Sequence, residues 1–544
     1  MMTSAIPASE PVTTRAHWFG DSGESTFSWL SEKEDGDGRS GVILLPPLGY
    51  EYWTTHRAMR ELAEQLAASG HSVLRIDYRG TGDSSGNSWA PGGLSRWKHD
   101  VRLAVLEMRR WGAASVALVG LRFGALLAMN LAEEVGANAA VAWIPVVSGR
   151  RYVKELQLLS SSAPEDGSAV GGAHTRFMAG CAFTAELLSE LGALSVEGCG
   201  ATVRLLILDR PDKISSKGLV DKIIQGGGIA EQLLIDGAET MLDVPTEYAT
   251  TPMRQVEAIV DWLRSAAPHR IPETKPAARS TRDHGRFAHE GIMLTEKALS
   301  VGRHGLMAIE CAPLDQETRV TVVFLNTGSE PHVGPGRAWV ELGRELAAAG
   351  YRTIRVDFQG WGDSPDNGHA PGRPYDIHAV ADTREIARAL TERGDEKIVL
   401  VGLCASAWIA LHDCQDLPVH GMVAFNPQLY WQTGDPVWAT MPESNAWCLG
   451  ENRKVWSEPG RKAAVLEWLQ RIQGCPFPID LWFEKDDMGI FYFRDQLGIH
   501  LAGTTVLGAV TVNELENLDH AMHRHWHRSE AIQAIVSLIQ RISN

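Results

Sequence analysis

Residues 120–124 (Gly-Leu-Arg-Phe-Gly) and residues 402–406 (Gly-Leu-Cys-Ala-Ser) each follow a short apolar run and open a segment of small residues. This pattern predicts a strand that turns sharply into a helix, because only small residues fit on both sides of such a turn. The turn raises the side chain of its central residue above the sheet. Arg122 and Cys404 therefore occupy corresponding positions in two copies of one local structure.

The sequence around these turns is also repeated. Residues 62–84 end in Asp-Tyr-Arg-Gly-Thr-Gly-Asp-Ser, and they return 280 residues later as 342–364, which end in Asp-Phe-Gln-Gly-Trp-Gly-Asp-Ser. Ala-Pro-Gly at 90–92 recurs at 370–372. A chain of 544 residues is long enough for two large domains. We therefore interpret it as a tandem duplication at domain scale rather than a solenoid of short repeats.

Each half alternates short Val/Ile/Leu runs with longer helical patterns. This alternation is typical of α/β proteins, in which helices cover both faces of a mainly parallel sheet. Five matched strands are predicted per half, beginning at residues 42, 73, 116, 140 and 205 and at residues 320, 353, 398, 422 and 479. We expect domains at 1–265 and 290–544, a Pro- and Arg-rich linker at 266–289, and lids at 148–200 and 428–474.

Composition excludes several classes of partner. A net charge of −16 argues against nucleic acid and anionic membranes, which need a basic face. No run of 18 apolar residues offers a membrane span, and residues 1–15 lack the features of a secretory signal, so we expect a cytoplasmic protein. The 7 cysteines are scattered without a CxxC pair, which disfavours disulfides and a zinc site. We expect no metal and no cofactor.

Cys404 is the candidate nucleophile, because a helix N-terminus favours the thiolate. Such a nucleophile needs a base and a carboxylate that orients the base. Asp486 follows the fifth strand of the second half, and His520 lies near the end of the chain, so nucleophile, acid and histidine occur in that order. We predict His520 as general base and acid and Asp486 as its orienter, with Asp487 as a close competitor. The alternative is a buried structural cysteine.

The same turn predicts a site for a developing oxyanion. One donor is the backbone N–H of Ala405, and the other comes from the turn formed by Thr327, Gly328 and Ser329 after the first strand of the second half. Which residue of that turn donates is left open. Ser406 stands where a second glycine is usual, and we expect it to crowd the turn.

Three histidines follow His520 closely, at 523, 525 and 527. A metal site would need carboxylate or cysteine ligands at suitable spacing, and none lies beside them. We expect these three histidines to form an exposed start of the last helix.

The first half lacks the chemistry of the second. Arg122 stays protonated and is no nucleophile, and residues 235–241, where a histidine would correspond to His520, contain none. The guanidinium of Arg122 either binds a carboxylate or phosphate group bidentately or forms an internal ion pair with an acid such as Asp83 or Glu239. We therefore predict a catalytically inert first domain.

Together these motifs resemble the α/β-hydrolase superfamily and, more narrowly, the paired hydrolases associated with exosortase systems. Residues 120–128 are similar to the turn of the arginine-bearing type, residues 402–407 to that of the cysteine-bearing type, and residues 327–337 to the glycine-rich loop of the latter. The resemblance implies two tandem α/β-hydrolase domains and ester or thioester chemistry, without naming a substrate.

We therefore expect acyl transfer through an acyl-Cys404 intermediate. The acyl group would come from a small-molecule or carrier-bound ester or thioester and pass to water, an amine or an alcohol, as in a thioesterase or an acyltransferase. Tryptophans at 431, 438, 447, 456 and 468 in the second lid would line a pocket that excludes water. The alternatives are a non-catalytic ligand-binding protein and lyase or isomerase chemistry on the same triad. The oligomeric state is left open, a homo-oligomer included.

Overall fold

The computed structural model of the chain describes residues 11–20, 23–34, 39–159, 175–178, 180–196, 202–212, 214, 216–266, 281–368, 374–427, 469–487, 489–490, 493–494, 505–523 and 525–543. The chain divides into two compact units, Met1–Ala288 and His289–Asn544. Each unit is described by itself.

The first unit is built on one mixed sheet. Its strands and those of a small separate hairpin are β1 (Val12–Phe19), β2 (Thr26–Lys33), β3 (Ser40–Leu45), β4 (Ser72–Ile76), β5 (Ser115–Leu121), β6 (Ala139–Trp143), β7 (Thr175–Met178), β8 (Cys181–Thr184), β9 (Arg204–Asp209) and β10 (Ile229–Leu234). The order in the sheet is β1-β2-β4-β3-β5-β6-β9-β10, while β7 pairs only with β8. From β4 to β10 all neighbours are parallel.

Helices cover this sheet. They are α1 (Tyr50–Ala68), α2 (Gly93–Arg110), α3 (Phe123–Leu131), α4 (Gly149–Leu159), α5 (Ala185–Ala193), α6 (Leu219–Gln225), α7 (Glu239–Leu242) and α8 (Met253–Ala266). Alternate residues of β3 belong to different hydrophobic clusters. Val42 and Leu44 pack in one cluster, and Ile43 and Leu45 pack in the other. Both faces of the sheet are therefore buried, as the continuous apolar runs predicted.

The second unit repeats this topology. Its strands, preceded by β11 (His284–His289) at the division between the units, are β12 (Ile292–Val301), β13 (Leu306–Pro313), β14 (Val320–Phe324), β15 (Arg352–Val356), β16 (Lys397–Leu403), β17 (Gly421–Phe425), β18 (Ile479–Glu484), β19 (Thr505–Leu507) and β20 (Val510–Leu515). From β12 onward the order is β12-β13-β15-β14-β16-β17-β18-β20-β19. Its helices are α9 (Ala338–Ala348), α10 (Ile377–Arg393), α11 (Ala405–His412) and α12 (Arg528–Ser543).

The predicted α/β fold class is confirmed, and all ten predicted strands are present as β3, β4, β5, β6, β9, β14, β15, β16, β17 and β18. Sequence reasoning missed the antiparallel strands that precede them in each unit, β1 with β2 and β12 with β13. It also missed β10 and β20, which extend each sheet beyond the fifth matched strand, and β19, which covers the edge of β20.

The predicted linker needs correction at its C-terminal end. Residues 267–280 lie outside the described residues, but β11 occupies part of the remainder. Phe287 is buried and forms a bridge with Gly23, and the hydroxyl of Ser25 donates to the carbonyl of Arg286. Buried and exposed residues alternate along this stretch, as is typical of a strand. Its basic and polar composition led to the prediction of a linker instead.

The first predicted lid contains α4, the β7–β8 hairpin and α5 in its described parts. Residues 428–468 of the second predicted lid, with all five of its tryptophans, lie outside the described residues. Within the described part of the chain, each helix is too short or too polar to cross a membrane.

Candidate active site

Both strand–turn–helix motifs adopt the same strained backbone. Arg122 has φ 53° and ψ −111°, and Cys404 has φ 55° and ψ −111°. Such values are uncommon for residues other than glycine and occur where the surrounding structure enforces them. A Cβ atom on Gly402 would lie 2.7 Å from the carbonyl carbon of Ser406, so the strand and helix can only approach this closely with glycine there.

Ser406 stabilises the turn rather than crowding it. Its hydroxyl accepts a hydrogen bond from the Leu403 N–H at 3.0 Å and donates to the Leu403 carbonyl oxygen at 3.1 Å. The expectation that Ser406 disturbs the turn is therefore wrong, because the side chain has local backbone partners.

The second turn brings Cys404 to a histidine. His520 lies near enough to Cys404 for the two groups to interact electrostatically, and its Nδ1 lies against Asp487 Oδ2. Burial disfavours a charged imidazole, but the electrostatic interaction with Cys404 and the hydrogen bond to Asp487 outweigh it and raise the pKa of His520 well above 6.5. Cys404 itself is partly exposed, so a ligand has access to it.

The carboxylate that contacts His520 is Asp487, which corrects the prediction of Asp486. Asp487 is buried, whereas Asp486 is exposed. The turn after β18 fixes this choice, since the Asp487 N–H donates to Glu484 O at 3.0 Å and Asp487 Oδ1 accepts from Gly489 N at 2.7 Å. Adjacent residues on a turn point in different directions, and nothing in the sequence distinguished the two aspartates.

Asn426 joins the loops that carry the histidine and the carboxylate. It follows β17, and its side chain donates to His520 O at 2.9 Å and accepts from Glu484 N at 2.7 Å. Sequence reasoning missed this residue. Its signal was an asparagine directly at the carboxyl end of a buried parallel strand, where polar groups of the site collect in open α/β sheets.

The turn predicted to bind an oxyanion lies beside a buried carboxylate. Asp357 accepts hydrogen bonds from Asn326 Nδ2 at 2.8 Å and from the N–H of His332 at 2.7 Å. Asn326 Nδ2 also donates to the carbonyl of Glu330 at 2.9 Å, which closes the turn over 326–330. The repeated Asp-x-x-Gly-x-Gly-Asp-Ser motif therefore anchors this turn, and Gly362 is required because a Cβ atom there would overlap the Asp357 carboxylate.

Within that turn, Gly328 has φ 57° and open space where a side chain would lie. Thr327 is buried, and its hydroxyl has no hydrogen-bond partner among the described residues. Ala405 is the first residue of α11, where backbone N–H groups have no acceptor within the helix. These are the properties that donors to a developing negative charge require; the roles of Thr327, Gly328, Ser329 and Ala405 stay predictions.

One group of potential metal ligands occurs in the described part of the chain, formed by His332, Asp357 and Asp363. His332 Nδ1 lies 2.8 Å from Asp357 Oδ2, and the same oxygen accepts from Asp363 N at 2.9 Å. The oxygens of Asp357 already have N–H partners, so hydrogen bonding accounts for this cluster without a cation.

The histidines after His520 do not share one environment. His523 is exposed, as expected, whereas His525 Nδ1 lies 2.6 Å from Glu341 Oε2. Arg528 also pairs with Glu341 and donates to Met522 O at 2.9 Å and Gly336 O at 2.9 Å. This network connects the loop that carries His520 to the start of α9.

The first unit fills the corresponding position with an ion-pair cluster. Arg122 Nε donates to Glu51 Oε1 at 2.6 Å, and its Nη2 donates to Glu155 Oε1 at 2.6 Å. The internal pair weighed from the sequence is present, but with Glu51 and Glu155 rather than Asp83 or Glu239. Burial raises the pKa of Glu51, and Arg122 only partly offsets this.

Family models match both units. A model of the alpha/beta hydrolase family matches residues 322–534, and a model described as serine aminopeptidase, S33, matches residues 52–165. No curated protein matches the chain.

Each of the similar solved structures covers about half of this chain. Ferulate-bound Est1E from Butyrivibrio proteoclasticus is 15% identical with a TM-score of 0.34, covering 46% of this chain and 96% of its own. An esterase from Pyrococcus furiosus is 15% identical with a TM-score of 0.33, covering 49% and 96%. Proline iminopeptidase from Mycobacterium smegmatis is 13% identical with a TM-score of 0.31, covering 47% and 98%. Each unit has the α/β-hydrolase fold, and the two family matches, one in each unit, support the α/β-hydrolase superfamily for this chain.

Proposed function

We propose that the second unit transfers an acyl group from an ester or thioester through an acyl-Cys404 intermediate. The observation that carries this proposal is the arrangement of Cys404 at a strained turn, His520 beside it and Asp487 hydrogen-bonded to His520. The α/β-hydrolase family matches support hydrolase activity in general. The narrower likeness to the cysteine-bearing exosortase-associated hydrolases is part of the proposal.

The chemistry proceeds in two steps. The Cys404 sulfur attacks the carbonyl carbon, and the oxyanion is stabilised by the N–H of Ala405 and the turn at 327–329. His520 then gives its proton to the departing alcohol or thiol as the bond to the leaving group breaks. In the second step His520 takes a proton from water, an amine or an alcohol, which attacks the thioester and releases Cys404.

Three of the other described cysteines, Cys311, Cys414 and Cys475, are poorly placed to compete because they are buried. Burial raises the pKa of the Cys311 thiol, and the contact with Cys475, whose sulfur lies 3.2 Å away, raises that of Cys414. Among the described cysteines only Cys181 and Cys404 are partly exposed. Cys181→Ala is therefore the matched control for Cys404→Ala.

The test is intact-mass analysis after mixing with p-nitrophenyl acetate and, separately, an activated acyl thioester. We expect one fast adduct in the wild type and in Cys181→Ala, none in Cys404→Ala, and formation slowed by about 10²–10⁴-fold in His520→Ala. Addition of amines or alcohols distinguishes transferase from hydrolase. Slow labelling spread over several cysteines and unchanged by both site substitutions would show that the proposal is wrong and favour the ligand-binding alternative.

A further inference from the structure

A tyrosine outside the predicted triad contacts the candidate nucleophile. The Tyr375 hydroxyl lies 3.5 Å from the Cys404 sulfur, and the side chain is buried. Its ring packs edge-on against Trp408 with centroids 5.7 Å apart. Trp408 lies one turn along α11 from Cys404, and its backbone N–H donates to Cys404 O at 3.3 Å. The helix that begins at the nucleophile therefore also holds the tyrosine in place.

The backbone of Tyr375 is strained. Its φ is 62°, a left-handed conformation that a bulky residue adopts only at a cost. The first unit enters the equivalent helix, α2, through Gly92 and Gly93, with φ 94° and 35°. Glycine makes such turns without strain. The second unit thus has a large side chain at the entry to a helix that the first unit enters through glycines, and the hydroxyl of that side chain lies 3.5 Å from the sulfur.

A phenol next to this sulfur affects the two steps of acyl transfer differently. A hydroxyl donates a stronger hydrogen bond to a charged acceptor than to a neutral one. The sulfur of Cys404 loses negative charge as it attacks the carbonyl carbon and regains it when the C–S bond of the thioester breaks. The hydrogen bond consequently stabilises the departing thiolate more than the acyl-enzyme.

We propose that Tyr375 is a catalytic residue of the second unit that donates its hydroxyl hydrogen bond to the Cys404 sulfur and accelerates release of the acyl group. The proton stays on the phenol oxygen, and the electron pair of the breaking C–S bond goes to sulfur. This inference rests on the proposed acyl-Cys404 chemistry.

The experiment compares the full-length wild type with Tyr375→Phe, which keeps the aromatic ring and its contact with Trp408. Acylation by p-nitrophenyl acetate is followed by the release of p-nitrophenol, and loss of the acyl group is followed by intact mass, with water and with an added amine. We expect acylation within about three-fold of wild type and acyl loss slowed about ten-fold or more, so that acyl-enzyme accumulates. Tyr351→Phe, a partly exposed tyrosine of the same unit, is the matched control.

The outcomes separate the two proposals. If the wild type forms an acyl-Cys404 adduct and Tyr375→Phe loses it at the wild-type rate, the role of Tyr375 is overturned and the proposed function stands. Equal slowing of both steps overturns it too, since that is the result of a merely structural role. If the wild type forms no adduct at Cys404, both proposals are overturned.

Discussion

The two turns have nearly identical backbones and different surroundings. Arg122 and Cys404 differ by 2° in φ, 53° against 55°, and share the same ψ. Around Arg122 the molecule supplies two carboxylates, whereas around Cys404 it supplies a histidine and a tyrosine. The turn alone is therefore no evidence of catalysis. What distinguishes the units is the set of side chains that the neighbouring loops bring to the turn.

The two turns also differ at their second small residue. A Cβ atom on Gly124 would overlap the carbonyl oxygen of Leu45, whereas Ser406 fits and hydrogen-bonds the backbone of Leu403. The same strand–turn–helix motif therefore leaves more room for a side chain at this position in the second unit than in the first.

The largest effect should come from removing the carboxylate beside His520. Asp487→Asn is expected to lower the rate of acyl-enzyme formation by about 10²–10⁴-fold. An amide in place of the carboxylate no longer holds the imidazole in its orientation or stabilises its protonated form. Asp486 is adjacent but exposed, so Asp486→Asn should form the acyl-enzyme at close to the wild-type rate. Stopped-flow acylation of both variants makes the comparison, and equal effects would contradict the geometry.

The same substitution should change the pH dependence. Asp487 helps raise the pKa of His520 well above 6.5, so protonated His520 persists to alkaline pH in the wild type. Without the carboxylate the pKa of His520 falls, and the alkaline limb of the acylation profile should move to lower pH. An unchanged alkaline limb would mean that another group determines it.

The next largest effect concerns folding of the first unit. Gly124→Ser copies the residue of the second turn, but its Cβ would overlap Leu45. We expect a loss of about 3 kcal/mol or more in the free energy of unfolding, seen as faster hydrogen exchange in β3 and α3. Hydrogen exchange at wild-type rates in this variant would show that both turns tolerate serine at this position.

Removing the arginine at the first turn should cost less stability than Gly124→Ser. Arg122→Ala leaves Glu51 without its main partner, and we expect a loss of about 1–3 kcal/mol in thermal or urea unfolding. Glu155 is half exposed, so Glu155→Gln is a milder control. Acylation at Cys404 should continue in both variants at temperatures where they are folded.

The destabilisation of Arg122→Ala should depend on pH in a defined direction. Burial raises the pKa of Glu51 above 4.5, and loss of Arg122 raises it further. The folded state then binds a proton that the unfolded chain has already lost, so stability falls as pH rises from 4.5 through the raised pKa. The variant should therefore approach wild-type stability at acid pH, and a pH-independent difference would exclude this cause.

The smallest effect is expected for Ser406→Gly. The variant loses two hydrogen bonds to Leu403 and gains backbone freedom, for a combined cost of about 1–2 kcal/mol. Cys404 and its partners are untouched, so acylation should change by less than about ten-fold. Unfolding curves and acylation rates measured on the same sample give both quantities, and a complete loss of acylation would mean that the serine has a chemical role.

Much of the fold could be predicted because its signals are local. Continuous apolar runs indicate buried parallel strands. The two turns and the repeated sequence show which strand of the first half corresponds to which strand of the second. One of the strands that escaped prediction, β10, lacks those signals. It is exposed along most of its length, with Ile229 52% and Leu234 45% exposed. Its sequence has no buried face to give an alternating pattern.

The site was predictable only in part for a related reason. Cys404 lies in a recognisable strand–turn–helix motif and His520 in the loop before the last helix, and the structure brings them together. The choice between Asp486 and Asp487, the pairing of Arg122 with Glu51 and Glu155, and the contact of Tyr375 with Cys404 depend on how separate loops meet. Contacts between residues far apart in sequence have no periodicity to read in a single sequence.

The turn in the first unit has an evolutionary consequence. Exchanging a nucleophile for an arginine takes one codon, whereas abandoning the turn would require Gly120, Gly124 and the adjoining strand to change together. Function can therefore be lost from a duplicated domain far more quickly than its shape, and the return path is equally short at this position. The first unit has the same backbone at this turn as the second, and its central side chain forms two salt bridges.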